Sequence, residues 1–186
     1  MNIKSDEFDR LAERMTWSRD IMDGDMLHVF DEGVVLPNGV AAHRELIRHR
    51  GAVAVVPITD DGAVIVERQY RYPIGRITTE IPAGKLNDKT EDRLSAAKRE
   101  LREETGLTAD TWELLGEYLP AAAYCDEKIT IYTARGLHKG DQDLDFDELL
   151  DIYAVPLEEL VTEVMEGRIL DGKTQVAILK TALKYR

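Results

Sequence analysis

The stretch that most constrains this chain is residues 84–107, GKLNDKTEDRLSAAKRELREETGL. Neither proline nor glycine interrupts it between Glu91 and Thr105, and Gly106 reads as a helix stop, because glycine tolerates the left-handed conformation that ends helices. Leu94, Ala97, Leu101 and Thr105 recur on one helical face. At about 100° per residue, with Glu100 at zero, Glu104 falls near +40° and Glu103 near −60°. Ala97 at about +60° and Leu101 at about +100° flank them. Three carboxylates therefore crowd one arc beside the apolar stripe, which predicts an acidic edge drawn out of free water. Like charges at i, i+4 cost an isolated helix about 0.2–0.5 kcal/mol per pair. A bound cation is the obvious candidate to offset that repulsion, and hard carboxylate oxygens suit Mg²⁺ or Mn²⁺. The plainer reading of such a cluster is a solvated acidic face.

The wider pattern favours the cation. Glu91-x7-Arg99-Glu100-Leu101-x-Glu103-Glu104-x-Gly106-Leu107 resembles the Nudix box of the Nudix hydrolases, G-x5-E-x7-R-E-U-x-E-E-x-G-U, where U is a bulky aliphatic residue. One spacing departs. Gly84 and Glu91 enclose six residues instead of five. The extra residue falls in the polar loop Asn87-Asp88-Lys89-Thr90, where added length is cheap, and the glutamates keep their register. Three neighbouring stretches resemble the ADP-ribose pyrophosphatase group of that family. They are VLPNG-x3-HRELIRHRGAVAVVP, Arg68-Gln69-Tyr70-Arg71-Tyr72-Pro73, and EIPAGKL from Glu80 to Leu86.

The resemblance implies an α/β/α sandwich with a mixed sheet and an N-terminal antiparallel β extension. It implies Mg²⁺ or Mn²⁺ held by Glu100, Glu103, Glu104 and the backbone carbonyl of Ala83. Arg99 orients the glutamates and, with Glu103 and Glu148, completes the expected catalytic set. Arg71 is the expected phosphate clamp, its planar fork matching phosphate oxygens; the competing reading is an ion pair with Glu80 or Glu67. The implied substrate is a nucleoside diphosphate sugar, ADP-ribose first, cleaved to AMP and ribose 5-phosphate. Residues 1–50 form the extension and 51–186 the catalytic domain. In the resembling enzymes the extension builds a domain-swapped homodimer, and Arg44 and Glu45 match positions that reach the other subunit's substrate.

The formal charge of −12 argues against nucleic acid or an anionic membrane as a main partner. For an anionic substrate, metal ions would have to invert the local field. Cys125 is the only cysteine, so no intrachain disulfide forms, consistent with a reducing cytoplasm. There is no apolar run near 18 residues, and Met1 to Arg14 is too charged for a secretion signal.

Along the chain, Phe8, Leu11 and Met15 indicate a short first helix. Thr16 to Met22, Met26 to Asp31, Val34 to a turn at Asn38-Gly39, and Val40 to Arg50 read as strands. Ala52 to Ile58 is a buried strand, and Asp61-Gly62 a hairpin turn returning through Ala63 to Tyr70. Trp112 to Leu119, Lys128 to Ala134 and Leu149 to Ala154 are further strands. Helices run over Pro156 to Glu166 and over Lys173 to Lys184, with Val176, Ala177, Leu179 and Leu183 turned inward. The family marker S-P-G-F-S-D-E is degraded: aligned on Asp126-Glu127, Ala122 and Ala123 stand at its proline and glycine. Gly140 to Glu148 is an acidic loop. In the resembling enzymes such a loop carries a mobile glutamate acting as base or metal ligand. Glu148 matches best, with Asp147, Asp145 and Glu127 as alternatives. Two rivals stand beside ADP-ribose hydrolysis: the same chemistry on another nucleoside diphosphate sugar, and a ligand-binding regulator without catalysis. The regulator would need a broken metal helix and a basic appendage.

Overall fold

The structure, a computed structural model, describes residues 5–144, 146 and 148–185. The chain divides into two compact units. One takes in the described residues up to His49 together with Ala121–Glu127; the other takes in Arg50–Pro120 and the described residues from Lys128 onward.

The first unit holds a short helix α1 (Ser5–Leu11) and three strands, β1 (Arg14–Asp23), β2 (His28–Val35) and β3 (Ala41–Arg48), in an antiparallel sheet of order β1-β2-β3. Helix α1 stops before Met15, which pairs with Val34 in the sheet, so the expected Phe8-Leu11-Met15 helical face is cut short. The β2–β3 turn forms at Asn38-Gly39. Gly39 has φ +84°, and Asn38 Oδ1 accepts a hydrogen bond from Val40 N at 3.1 Å. Segment Ala121–Glu127 is fastened to the end of β3 by Ile47 N to Tyr124 O at 2.8 Å and Asp126 N to Ile47 O at 3.2 Å.

The second unit is organised around β4 (Ala52–Pro57), buried along its whole length. Its side chains alternate between two cores, as a strand covered on both faces requires. Val53 and Val55 meet Ala96, Ala97 and Leu101 of helix α2 (Arg93–Thr105). Ala54 and Val56 belong to the core built with Leu160 of α3 (Leu157–Met165) and Ala177 and Ile178 of α4 (Gly172–Lys184). A sheet of order β7-β4-β9-β8 therefore lies between α2 and the α3–α4 pair, with β7 (Ala83–Lys85), β8 (Leu107–Tyr118) and β9 (Ile129–Lys139). The β4–β9 pairing is parallel and its other pairings antiparallel, so the sheet is mixed.

A second, antiparallel sheet has order β10-β5-β6, formed by β10 (Leu150–Pro156), β5 (Ala63–Arg71) and β6 (Arg76–Glu80). The turn at Asp61-Gly62 forms, with Gly62 N donating to Thr59 O at 3.0 Å, but the strands it joins part into different sheets. One isolated bridge, Ile58 to Val64, is the only pairing between these flanks among the described residues. The hairpin expected there is corrected to a crossover between sheets. On α4, Ala177 is buried as expected, whereas Leu183 is 70% exposed and Ile178, Thr181 and Ala182 take the inner face instead.

Helix α2 begins two residues after Glu91. Asp92 is its N-cap, its Oδ1 accepting from Ser95 N at 2.9 Å. It ends at Gly106, φ +70°, whose N–H donates to Arg102 O at 2.8 Å. The next carbonyls are taken up by the loop after β9. Gln142 Nε2 donates to Glu104 O at 2.6 Å, Asp143 N to Glu103 O at 3.0 Å, and Gly140 N to Gly106 O at 2.7 Å. A Cβ on Gly106 would stand 2.8 Å from Gly140 O and 3.0 Å from Gln142 N, both backbone atoms that cannot swing aside. Gly106→Ala therefore combines a disfavoured backbone conformation with a steric clash. It is expected to cost more than about 1 kcal/mol and to lower the melting temperature by at least about 2–4 °C. Thermal unfolding followed by circular dichroism checks this; an unchanged midpoint contradicts it.

Candidate active site

The inner edge of α2 carries the acidic cluster where the helical arc placed it. Glu100 and Glu104 are buried, at 8% and 4% exposure, and Glu103 is half-buried. Glu104 Oε2 accepts the backbone N–H of Ala83 at 2.9 Å, which ties the helix to β7. The Glu100 carboxyl lies against Gly84, where a Cβ would stand 2.1 Å from its carboxyl carbon. Glycine at 84 is thus the space that Glu100 occupies.

Arg99 sits in the middle of these acids. Its Nη1 donates to Glu100 Oε1 at 2.7 Å and to Glu103 Oε2 at 3.0 Å, Nη2 to Lys85 O at 3.2 Å, and Nε to Glu91 Oε1 at 3.4 Å. Glu91, outside the helix, accepts from Asn87 N at 2.6 Å and closes the loop that carries the extra residue.

A further acid, read in the sequence only as a possible ion-pair partner, joins the cluster. Glu67 of β5 is 1% exposed, and its Oε2 has no hydrogen-bond partner among the described residues. Only its place inside an otherwise apolar strand run, Val64-Ile65-Val66-Glu67, marked it in the sequence. Burial, then the neighbouring Glu80, pushes the Glu67 carboxyl up to about 7. Burial, then the charges of Glu67 and Glu100, pushes Glu104 up to about 9. Burial lifts Glu100 to about 7 against the pull of Arg99. In each case removing the proton puts a negative charge into a buried place beside other carboxyls, and at Glu100 the pull of Arg99 only partly offsets this.

This donor set fits a hard divalent cation in charge and in kind. Carboxyl groups line one helix edge beside a backbone segment, one oxygen of the neighbouring Glu67 is buried without a partner among the described residues, and a glycine leaves room. Among the described residues, no three His, Cys, Asp or Glu side chains are already gathered as a finished metal cage. Glu103 faces Arg99 and Arg102, and Glu100 shares Arg99 with it. Glu100, Glu103, Glu104 and the Ala83 backbone are the groups that would hold an ion here.

Glu148 lies in the loop before β10, and its negative charge is felt at Glu67, Glu100 and Glu104 alike. It also lines a cavity of about 690 Å³ with Arg68, Thr79, Tyr153 and Arg168. Asp145 and Asp147, its alternatives, lie outside the described residues. Glu127 belongs to the first unit, where its Oε1 lies 3.7 Å from His49 Nδ1. Arg71, at the end of β5, makes a two-pronged pair with Glu80, Nε to Oε1 at 2.8 Å and Nη2 to Oε2 at 2.7 Å. Arg44 and Glu45 lie on β3 of the first unit. Arg44 is paired with Glu13, and Glu45 is exposed.

The second unit is a mixed-sheet sandwich that carries these glutamates on its first long helix. Residues 48–173 match the NUDIX domain family, and the chain belongs to that family. It is 38% identical over 180 residues to a protein named methanol dehydrogenase activator from Bacillus methanolicus, covering 94% of this chain and 97% of that one. It is 37% identical over 176 residues to an ADP-ribose pyrophosphatase of Bacillus subtilis, covering 94% and 95%. An ADP-ribose pyrophosphatase of Mycobacterium tuberculosis is 35% identical over 148 residues, 78% of this chain and 72% of the relative. A crystal structure described as an ADP compounds hydrolase superposes with a TM-score of 0.82 at 24% identity, covering 92% of this chain and 93% of that chain, a likeness that bears on the fold.

The raised carboxyls give the metal-free protein a distinctive pH dependence. A carboxyl at about 7 or 9 when folded, against 4.5 when unfolded, binds more protons in the native state across that interval. Stability therefore falls as pH rises from about 5 to about 9. Glu80, held down at about 2, acts with the opposite sign: its contribution is full above 4.5 and is lost as pH falls toward 2. Urea midpoints after chelation are expected to be lower at pH 8.5 than at pH 6, with the difference reduced by saturating Mg²⁺. A chelated protein more stable at pH 8.5 than at pH 6 contradicts the buried cluster.

Proposed function

We propose that this protein hydrolyses the diphosphate linkage of ADP-ribose to AMP and ribose 5-phosphate, using Mg²⁺ or Mn²⁺. The observation that carries the reading is the buried, charge-excess carboxylate set on α2, packed against Ala83-Gly84 and within electrostatic reach of Glu148. The names of two relatives support ADP-ribose as the substrate. When bound, the divalent ion supplies counter-charge for the diphosphate and makes a water molecule acidic enough to lose a proton near neutral pH.

The chain's own residues do the rest. Glu104 and Glu100 offer oxygens from a site where burial has removed competing water. Arg99 holds Glu100 and Glu103 in register through one nitrogen, so neither collapses onto the other's side of the helix. Arg71 presents cationic edge to a phosphate while Glu80 fixes its plane. Glu148 accepts the proton of the attacking water, the role of a general base. Residues 51–186 serve as the catalytic domain and residues 1–50 as the dimerising extension, within which Arg44 and Glu45 meet the other subunit's substrate. The reducing cytoplasm suits a chain with a single thiol. No described helix is long and apolar enough to cross a membrane. The degraded marker at Ala122-Ala123 favours one second reading, the same hydrolysis of another nucleoside diphosphate sugar.

Two experiments test this. Turnover of a panel of nucleotide sugars with Mg²⁺ is expected to be highest for ADP-ribose, yielding AMP. Glu148→Gln is expected to lower kcat by about 10²–10⁴-fold with little change in KM, and Glu104→Gln to lose at least as much. Glu127→Gln is expected to stay near wild type. Full activity in Glu104→Gln contradicts the metal assignment, and a large loss in Glu127→Gln with Glu148→Gln intact moves the base.

For the dimer, the support is β1, exposed at all ten positions and carrying Met15, Trp17, Ile21 and Met22, each more than 40% exposed. Light scattering at micromolar concentration is expected to give twice the 21.0 kDa chain mass. A monomer overturns it.

A further inference from the structure

Among the described residues Lys173 is the only buried lysine or arginine, at 9% exposure, and the chemistry described above does not use it. It stands at the start of α4, in the run Asp171-Gly172-Lys173-Thr174. Asp171 caps that helix, its Oδ2 accepting from Thr174 N at 2.9 Å and Thr174 Oγ1 at 2.6 Å. Thr174 Oγ1 in turn accepts Ile81 N at 3.0 Å, which locks the helix start to the chain just after β6. Lys173 Nζ is thereby held between Asp171 Oδ2, at 3.1 Å, and Glu80 Oε2, in close contact.

Glu80 is the hinge of this arrangement. A carboxylate has about four acceptor positions. Here Oε1 takes Arg71 Nε at 2.8 Å and Thr78 Oγ1 at 2.6 Å, while Oε2 takes Arg71 Nη2 at 2.7 Å and Lys173 Nζ. The carboxylate is saturated, 2% exposed, and its plane is fixed from both sides. Arg71 receives that plane through two parallel bonds, with its side chain still 40% exposed. Glu67 lies directly across the strand pair from Glu80 and repels it. Without a cation behind it, Glu80 would face a like charge with Arg71 as its only charged counterweight.

We propose that Lys173 is a positioning residue: through Glu80 it sets the orientation of the Arg71 guanidinium for the substrate's phosphates. The inference rests on the reading of Arg71 as a phosphate-binding group. It makes the start of α4, more than ninety positions along the chain from Arg71's strand partners, part of substrate recognition. Lys173 touches no substrate in this arrangement; its effect passes through a second side chain.

A double-mutant cycle on ADP-ribose turnover tests it, using Arg71→Ala, Lys173→Met and the double variant, with Glu80→Gln as an independent break of the same relay. Arg71→Ala is expected to raise KM by about tenfold or more. Lys173→Met and Glu80→Gln are each expected to raise KM by about fivefold or more while kcat changes less than about threefold. In the Arg71→Ala background, adding Lys173→Met is expected to change KM by less than about twofold, because the relay has lost its target. Lys173→Arg, which keeps the charge, is expected to recover part of the loss. If Arg71→Ala leaves KM unchanged, the phosphate-clamp reading fails and the positioning role fails with it. If Arg71→Ala raises KM but Lys173→Met and Glu80→Gln do not, the clamp stands and the relay is overturned. If the Arg71 and Lys173 effects multiply, Lys173 acts elsewhere and the relay is again overturned. Should Lys173→Met not fold, the Glu80→Gln arm of the cycle decides by the same criteria.

Discussion

The structure depends on a set of buried carboxyl groups that the protein supplies with too little positive charge to ionise readily. Glu67, Glu100 and Glu104 are buried near one another, and each holds its proton far beyond the usual carboxylate range. Such a cluster is costly to a fold. It persists because the elements around it are tightly fixed. Helix α2 is capped at Asp92, stopped at Gly106, and its last carbonyls are occupied by Gln142, Asp143 and Gly140. Its apolar residues Ala96, Ala97 and Leu101 pack on Val53 and Val55. The helix can therefore press Glu100 against Gly84 and Glu104 against the Ala83 amide. An arrangement that resists the loss of its own protons is suited to whatever brings positive charge.

The positive charges the protein does supply are tied to particular acids. Arg99 serves the solvent side of α2, joining Glu91, Glu100 and Glu103. Arg71 and Lys173 share Glu80, whose carboxyl burial alone would raise; the Arg71 hydrogen bonds and the charge of Lys173 overcome that and hold it down at about 2. Glu67 and Glu80, directly paired across two strands, are thus driven in opposite directions. One has two cations beside it, and the other has a neighbouring anion and an orphaned oxygen. This split leaves one carboxyl short of positive charge and the other saturated with it.

Much of this was readable from residue order. The helix, its glycine stop, and the shared arc of Glu100 and Glu104 are local properties set by spacing and periodicity. What was not readable depends on non-local placement. Asp61-Gly62 specifies a turn, but whether its flanks pair is decided by β9 and β10, which claim β4 and β5 from far along the chain. In the sequence Glu67 is legible only as a possible partner for Arg71; its burial depends on β6 and β10, which pair with its strand from either side. Leu183 fitted an apolar rhythm, yet the helix rotation that buries Ile178 and Ala182 leaves it in solvent. The acidic loop read as mobile begins with residues that cap a helix, because backbone carbonyls with no partner recruit whatever donors pass close by.

The central claim is that the α2 carboxylates accept a divalent cation in exchange for the protons they hold. Isothermal titration of the chelated protein with Mn²⁺ at pH 7, repeated in buffers of different ionisation enthalpy, measures that exchange directly. The observed heat should vary with the buffer, with roughly one to two protons released per bound ion. Binding whose heat is independent of the buffer, or the absence of binding at millimolar Mn²⁺, would contradict the account.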